Sequence, residues 1–214
     1  MQLKKQMGFT LVEIAIVLVI VGLLIGGVLK GQEMITNAKL KRIESDNAGI
    51  AAAMFSYQDR YLQLPGDDSG ADDRFDLYTT STGNVGNGDG IIDGLWTPSA
   101  ATQETAMFWK HLRAAGLVPG GGDDVTQPSN AYGGLIGIRD GSLGIAGHVT
   151  IFGQLEGPIA KIIEARLDDG KPQSGRIQSD IAVSGSATDV MNTASASSVS
   201  GYDDAQRYSI AFRL

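Results

Sequence analysis

Phe9-Thr-Leu-Val-Glu-Ile-Ala-Ile-Val-Leu-Val-Ile-Val-Gly-Leu-Leu-Ile-Gly-Gly-Val-Leu29 is an apolar run of 21 residues whose only charge is Glu13. At ~1.5 Å rise per residue a helix of this length spans roughly 30 Å, the hydrocarbon thickness of a bilayer. The preceding segment, Met-Gln-Leu-Lys-Lys-Gln-Met-Gly8, carries Lys4 and Lys5 and no acid. That charge bias predicts a cytoplasmic N-terminus, with the remainder outside the cytoplasm. A removable secretory signal has a shorter apolar stretch, about 7–15 residues, closed by small residues at a cleavage site. Here the run continues into Lys30-Gly-Gln-Glu-Met-Ile-Thr-Asn-Ala-Lys39 with no such site. The apolar run is therefore expected to stay with the protein.

Beyond it the pattern changes without a break. Ile35, Ile43, Ile50, Met54, Tyr57, Tyr61 and Leu64 recur at helical period, while Lys39, Lys41, Arg42, Glu44, Asp46, Gln58 and Asp59 fall mostly on the opposite face. No proline interrupts residues 1–64, and Pro65-Gly66 is the expected stop. The spacing predicts one helix from about residue 9 to about residue 63. Its first half is apolar all round. Its second half, residues 30–64, packs one face against a globular part.

The residues from Lys4 to Glu13 resemble a known signal. Lys4-Lys5-x-x-Gly8 followed by Phe9-Thr10-Leu11-Val12-Glu13 at the head of an apolar run is similar to the type IV prepilin signal. The resemblance implies that residues 1–8 are a leader and that a prepilin peptidase cuts after Gly8 and methylates Phe9. It implies that residues 9–29 first anchor the chain in the inner membrane and then form the core of a filament. The protein would be a structural subunit of a type IV pilus, or of a pilus-like filament such as the pseudopilus of type II secretion. Its partners would be other pilin subunits and the assembly machinery, and its final place the periplasm or the cell surface. Two departures are visible. Many members have a proline near position 30, where this chain has Lys30, and many close the C-terminal region with a cysteine pair, absent here. Gly22, Gly26 and Gly27 offer another way to loosen the helix, at about 1 kcal/mol each.

Glu13 is the candidate assembly residue. A carboxylate inside an apolar helix costs ~2.5–3.5 kcal/mol even on the lenient insertion scale, so it needs a partner. No Lys, Arg or His lies between Lys5 and Lys30. Cleavage after Gly8 would create a cationic α-amine on Phe9, four positions away, and in a staggered bundle the amine of one subunit reaches the carboxylate of another.

Composition narrows the rest. The 214 residues are 43% hydrophobic and 19% charged, with 29 glycines, which suits a folded, loop-rich chain. The cysteine count of 0 removes disulfides, thiolate metal sites and Cys nucleophiles. His111 and His148 are the only histidines, too few for an ordinary zinc site. Residues 1–63 hold 7 basic and 5 acidic side chains, and residues 64–214 hold 10 and 19. An acidic head repels phosphate, so no nucleic-acid partner is expected.

Residues 65–214 read as an α+β head, with the long helix packed on a small antiparallel sheet and short helices. A helix capped by Ser99 or Thr102 runs to Ala115, with Gly116 as its stop. A second covers Gly157–Leu167, with Pro158 in its first turn. Strands are expected over 132–139, 148–155 and 176–183 and at the C-terminus. Ser184 to Ser200 is low-complexity and reads as an exposed flexible loop. His111 reads as a surface residue, and Asp67-Asp68 and Asp168-Asp169 as solvated turns. Gly83 to Gly94 invites a calcium reading, because Asn87, Asp89, Gly90, Ile91 and Asp93 match positions 3, 5, 6, 7 and 9 of an EF-hand loop. Position 1 is Val85 and position 12 is Trp96, so two ligands would have to come from elsewhere, with Asp67, Asp68 or Asp72 as candidates. The alternative is a plain turn region.

Nothing in the chain supplies an enzyme signature. There is no G-x-S-x-G, no H-E-x-x-H, and no phosphate-binding or dinucleotide-binding glycine loop. The sequence predicts a non-enzyme. The other class it allows is a membrane-anchored periplasmic binding protein that never polymerises, and fractionation of sheared surface material from inner membrane separates the two.

Overall fold

The computed structural model describes residues 8–75, 86–182, 190–192 and 196–214. The chain divides into two units, residues 1–41 and 42–214. A single helix, α1 (Leu11–Tyr61), contributes to both. In the first unit it stays helical through Gly22, Gly26, Gly27 and Lys30. Lys30 Nζ bonds Glu33 one turn on, at 2.8 Å. Ile35, the first member of the apolar stripe, is exposed.

In the second unit the stripe does what its period requires. Ile43, Ile50, Met54 and Tyr57 are all buried, and Asn47 bonds the hydroxyl of Thr150 on the sheet. The helix ends earlier than Pro65. Leu62 takes a left-handed conformation (φ 56°) and donates its N–H to the Gln58 carbonyl at 2.8 Å.

Four strands form one antiparallel sheet: β1 (Ile136–Ser142), β2 (Ile145–Glu156), β3 (Ile177–Ile181) and β4 (Arg207–Arg213), in the order β1-β2-β4-β3. Ile138 faces Thr150, Ile151 faces Ala211 and Ser179 faces Ile210. The β1–β2 hairpin turns at Leu143-Gly144, both with positive φ (52° and 87°) as a primed two-residue turn demands. A leucine is unusual there. Its side chain is fully buried in a cluster with Trp96, Ile145, Val149, Ile151, Met191 and Ala211, and that burial outweighs the backbone strain.

Among the described residues the head also holds three short α-helices: α2 (Ala71–Arg74), α3 (Glu104–Ala114) and α4 (Gly157–Leu167). Gln103, rather than Ser99 or Thr102, occupies the N-cap of α3. At its C-terminus Gly116 (φ 69°) donates to the Arg113 carbonyl and Leu117 donates to Leu112, the paired bonds of a Schellman end. The segment 184–200 departs from the exposed loop its composition suggests, although 184–189 and 193–195 lie outside the described residues. Met191 is in the core, and Ser197 is buried with its hydroxyl donating to the Ser179 carbonyl at 2.6 Å.

The corner after α1 is also buried, against expectation. His111 is inaccessible, and its Nδ1 accepts the Gly66 N–H at 2.9 Å. Gly66 sits at φ 93°, and a Cβ there would lie 2.6 Å from the Glu104 carbonyl oxygen, so only glycine lets the chain pass. Asp68 is buried rather than solvated: it accepts the Tyr57 hydroxyl at 2.6 Å and the Gly70 N–H at 2.9 Å and pairs with Arg74. Asp68→Ala takes this acceptor from the Tyr57 hydroxyl and the Gly70 N–H. It should destabilise the head by roughly 2–4 kcal/mol, measured by urea denaturation of the full chain in detergent, with Asp68→Asn losing clearly less.

Candidate functional site

The first unit presents its apolar run from Phe9 to Leu29. Every residue from Gly8 to Lys30 is exposed in the single chain, Phe9 and Leu11 by 84% and 86%. Within α1 an 18-residue stretch has a mean hydropathy of 2.8 and is 0% buried. A soluble monomer does not leave so large a contiguous apolar face in water. The helix is long and apolar enough to cross a membrane.

Glu13 stands at the start of that face, and the structure gives it a partner that charge bookkeeping alone does not find. Its Oε2 accepts both the Thr10 N–H and the Thr10 hydroxyl at 2.8 Å, and the Glu13 N–H donates to Thr10 Oγ1 at 3.3 Å. Thr10 precedes the first helical residue, Leu11. The two residues therefore form a reciprocal capping box, T-x-x-E, which satisfies two of the backbone donors orphaned at a helix N-terminus. A carboxylate in the first turn also meets the positive end of the helix dipole. Glu13 thus has a local role in one chain before any second chain is considered. Gly8 and Phe9 lie outside the helix, immediately before the box.

The acidic loop is organised by carboxylates from neighbouring segments. Asp67 enters it and accepts the N–H groups of Gly88 (2.6 Å), Asp89 (3.3 Å) and Gly90 (2.7 Å). Glu104, at the first position of α3, accepts the N–H groups of Asn87 (3.0 Å) and Asp93 (2.8 Å). Burial, reinforced by the Asp67 and Asp93 carboxylates, raises the Glu104 carboxyl above its ordinary range against the pull of those two donors. Asn87 and Asp89 come together: Asn87 Nδ2 donates to Asp89 Oδ2 at 3.1 Å and the Asp89 N–H donates to Asn87 Oδ1 at 2.8 Å. Asp93 joins through its backbone. Asp67 is buried, so it is not the solvated turn residue its setting suggests. Trp96, at the twelfth position of the loop pattern, is a core residue. Val85 lies outside the described residues. Among those described, the one set of three acidic side chains whose oxygens all lie within 4.8 Å of one another is elsewhere, at Glu164, Asp168 and Asp169.

Residues 3–29 match the model of the prokaryotic N-terminal methylation motif. This is the prepilin-type signal of type IV pilins and pseudopilins, and it supports a pilin- or pseudopilin-like precursor. The motif indicates a structural subunit rather than an enzyme family, and it implies processing by prepilin peptidase and work with pilin machinery. No curated protein and no solved structure matches the chain. Residues 11–29 of the matched part lie in α1, and the α+β layout of a long N-terminal helix with a small four-stranded antiparallel sheet and short helices is pilin-like.

Glu104→Ala removes the acceptor for two loop N–H groups. The amides of Asn87 and Asp93 should lose about 1–3 kcal/mol of protection, read by hydrogen exchange on the full chain, while the sheet amides stay as slow as before.

Proposed function

We propose that the chain is a filament subunit. Prepilin peptidase cuts it after Gly8 and methylates Phe9. The apolar half of α1 holds it in the inner membrane with its N-terminus in the cytoplasm, and that helix then leaves the bilayer to become the core of a type IV pilus or a type II secretion pseudopilus. The observation that supports this most is the fully exposed apolar helix joined to the methylation motif. A surface of that kind is stable only in lipid or against copies of itself. Calcium at Asn87, Asp89 and Asp93 belongs to the same proposal. What supports it is Asp67, whose carboxylate lies against that loop and accepts the N–H groups of Gly88, Asp89 and Gly90.

In the filament, the α-amine created on Phe9 pairs with Glu13 of another subunit. The capping box makes this testable in a way that Glu13→Ala alone does not, because alanine removes charge and cap together. Glutamine at the third helical position still reaches back to the N-cap N–H, so Glu13→Gln keeps the cap and removes the charge. Thr10→Ala does the reverse, and costs the helix end about 0.5–2 kcal/mol. If the ion pair drives assembly, Glu13→Gln should nearly abolish sheared filaments while leaving membrane protein at wild-type level, because an unpaired buried charge costs about 3–5 kcal/mol per subunit added. Thr10→Ala should still assemble. Normal filaments from Glu13→Gln would overturn the pairing. Protein confined to the inner membrane in every strain would favour the anchored binding protein instead.

A further inference from the structure

Helix α4 buries Ile159, Ala160, Ile163 and Glu164, so a carboxylate occupies a position that the spacing reserves for an apolar side chain. Glu164 is 0% exposed, and neither of its two oxygens has a hydrogen-bond partner among the described residues. A carboxylate taken out of water with no donor is among the costliest groups a fold can contain. Its surroundings make the cost larger. Glu164 lies in the last turns of α4, where the helix dipole is negative. The two neighbours that act most on its charge, Asp168 and Asp169, are acids too. Burial first, and then these two carboxylates, push the Glu164 carboxyl up to about 8.

We propose that Glu164, Asp168 and Asp169 form a binding site for a hard divalent cation, calcium, at the C-terminal end of α4. Each offers one oxygen, and the three oxygens lie within 4.8 Å of one another. Calcium holds oxygens at about 2.3–2.6 Å, so ligands on opposite sides of one ion stand up to about 5 Å apart. The two aspartates are already oriented by the loop that follows. Asp168 Oδ2 accepts the Ile177 N–H at 2.7 Å, and Asp169 accepts the Lys171 N–H at 2.9 Å and the Ser174 hydroxyl at 2.6 Å. Gly175, at φ 92°, passes so close to Asp168 that a Cβ would sit 2.0 Å from Oδ2. A carboxylate has about four acceptor positions, so these bonds leave lone pairs for an ion. The donor set is oxygen alone, which selects calcium or magnesium over zinc or copper. An irregular cluster with one buried and one exposed carboxylate suits the flexible coordination of calcium better than the strict octahedron of magnesium. Bound there, the ion gives the Glu164 oxygens the partner they lack and ties α4 to the loop leading into β3. The inference does not depend on the filament proposal.

The full chain in detergent, stripped with chelator and titrated with calcium chloride alone, tests this by calorimetry and thermal melting. Wild type should bind calcium with a Kd in the ~0.1–1 mM range of extracellular modules and melt at a higher temperature when it is present. Asp169→Asn, an exposed change that leaves the core intact, should weaken binding at this site by about tenfold or more, and Glu164→Gln should remove the part of the calcium-dependent shift that persists in Asp89→Asn. Asp89→Asn, in the separate acidic loop, should leave this binding event in place. Three results would overturn the proposal: no calcium-dependent shift in wild type, an unchanged affinity in Asp169→Asn, or a shift removed by Asp89→Asn and not by Glu164→Gln.

Discussion

An isolated carboxylate at the mouth of an apolar helix is the constraint from which the rest of the first unit follows. The run from Phe9 to Leu29 has no cation within it, so Glu13 must be satisfied either by the backbone or by another molecule. In the single chain the backbone does it, through the Thr10–Glu13 capping box. That box fixes where α1 starts, at Leu11. It also holds the carboxylate at the third residue of the helix, against the N–H and hydroxyl of Thr10. On the proposed processing, the same geometry serves two stages. Before processing, the hydrogen bonds reduce the cost of carrying the charge into the bilayer edge. After processing, the proposed α-amine appears beside a carboxylate that is already ordered, and the ordering entropy of that side chain is spent once, in the monomer.

The head solves a different problem. It has no cysteine, and its core of aliphatic and aromatic side chains is joined by buried carboxylates that tie loops to helices. Asp68 links Tyr57 of α1 to the turn before α2, Asp67 gathers the N–H groups of 88–90, and Glu104 holds Asn87 and Asp93 to α3. Each replaces water around a loop backbone with a fixed acceptor, and charged acceptors make the stronger hydrogen bonds. Glu164 is the exception, buried and without a donor among the described residues, and the proposed cation site of α4 rests on it.

How much of this was legible in the sequence differs by mechanism. The long helix could be read because a 3.6-residue period extends over many turns, and the strands because β-branched runs stand between glycines. Gly116 announced the end of α3 for a physical reason, since its left-handed conformation favours glycine. Tertiary burial of polar groups was not legible. His111 and Asp68 look like surface residues because nothing local shows that Gly66 and Tyr57 will reach them. Composition misled over Met191 and Ser197, since a serine-rich segment can pack when its hydroxyls find carbonyls. Two signals were present and easily passed over. Thr10-x-x-Glu13 is a capping box in plain letters, and Glu164 stands four residues after Ala160 and one after Ile163, on the buried stripe of α4.

The central claim is that this chain is processed at its N-terminus and works as an assembled subunit. The intact mass and N-terminal fragment spectrum of the protein in sheared surface or periplasmic filaments test it most directly. The account predicts a chain that starts at Phe9 and carries one added methyl group on its α-amine. Filament material that retained Met1 to Gly8, or that began beyond Leu29 without the apolar helix, would contradict it.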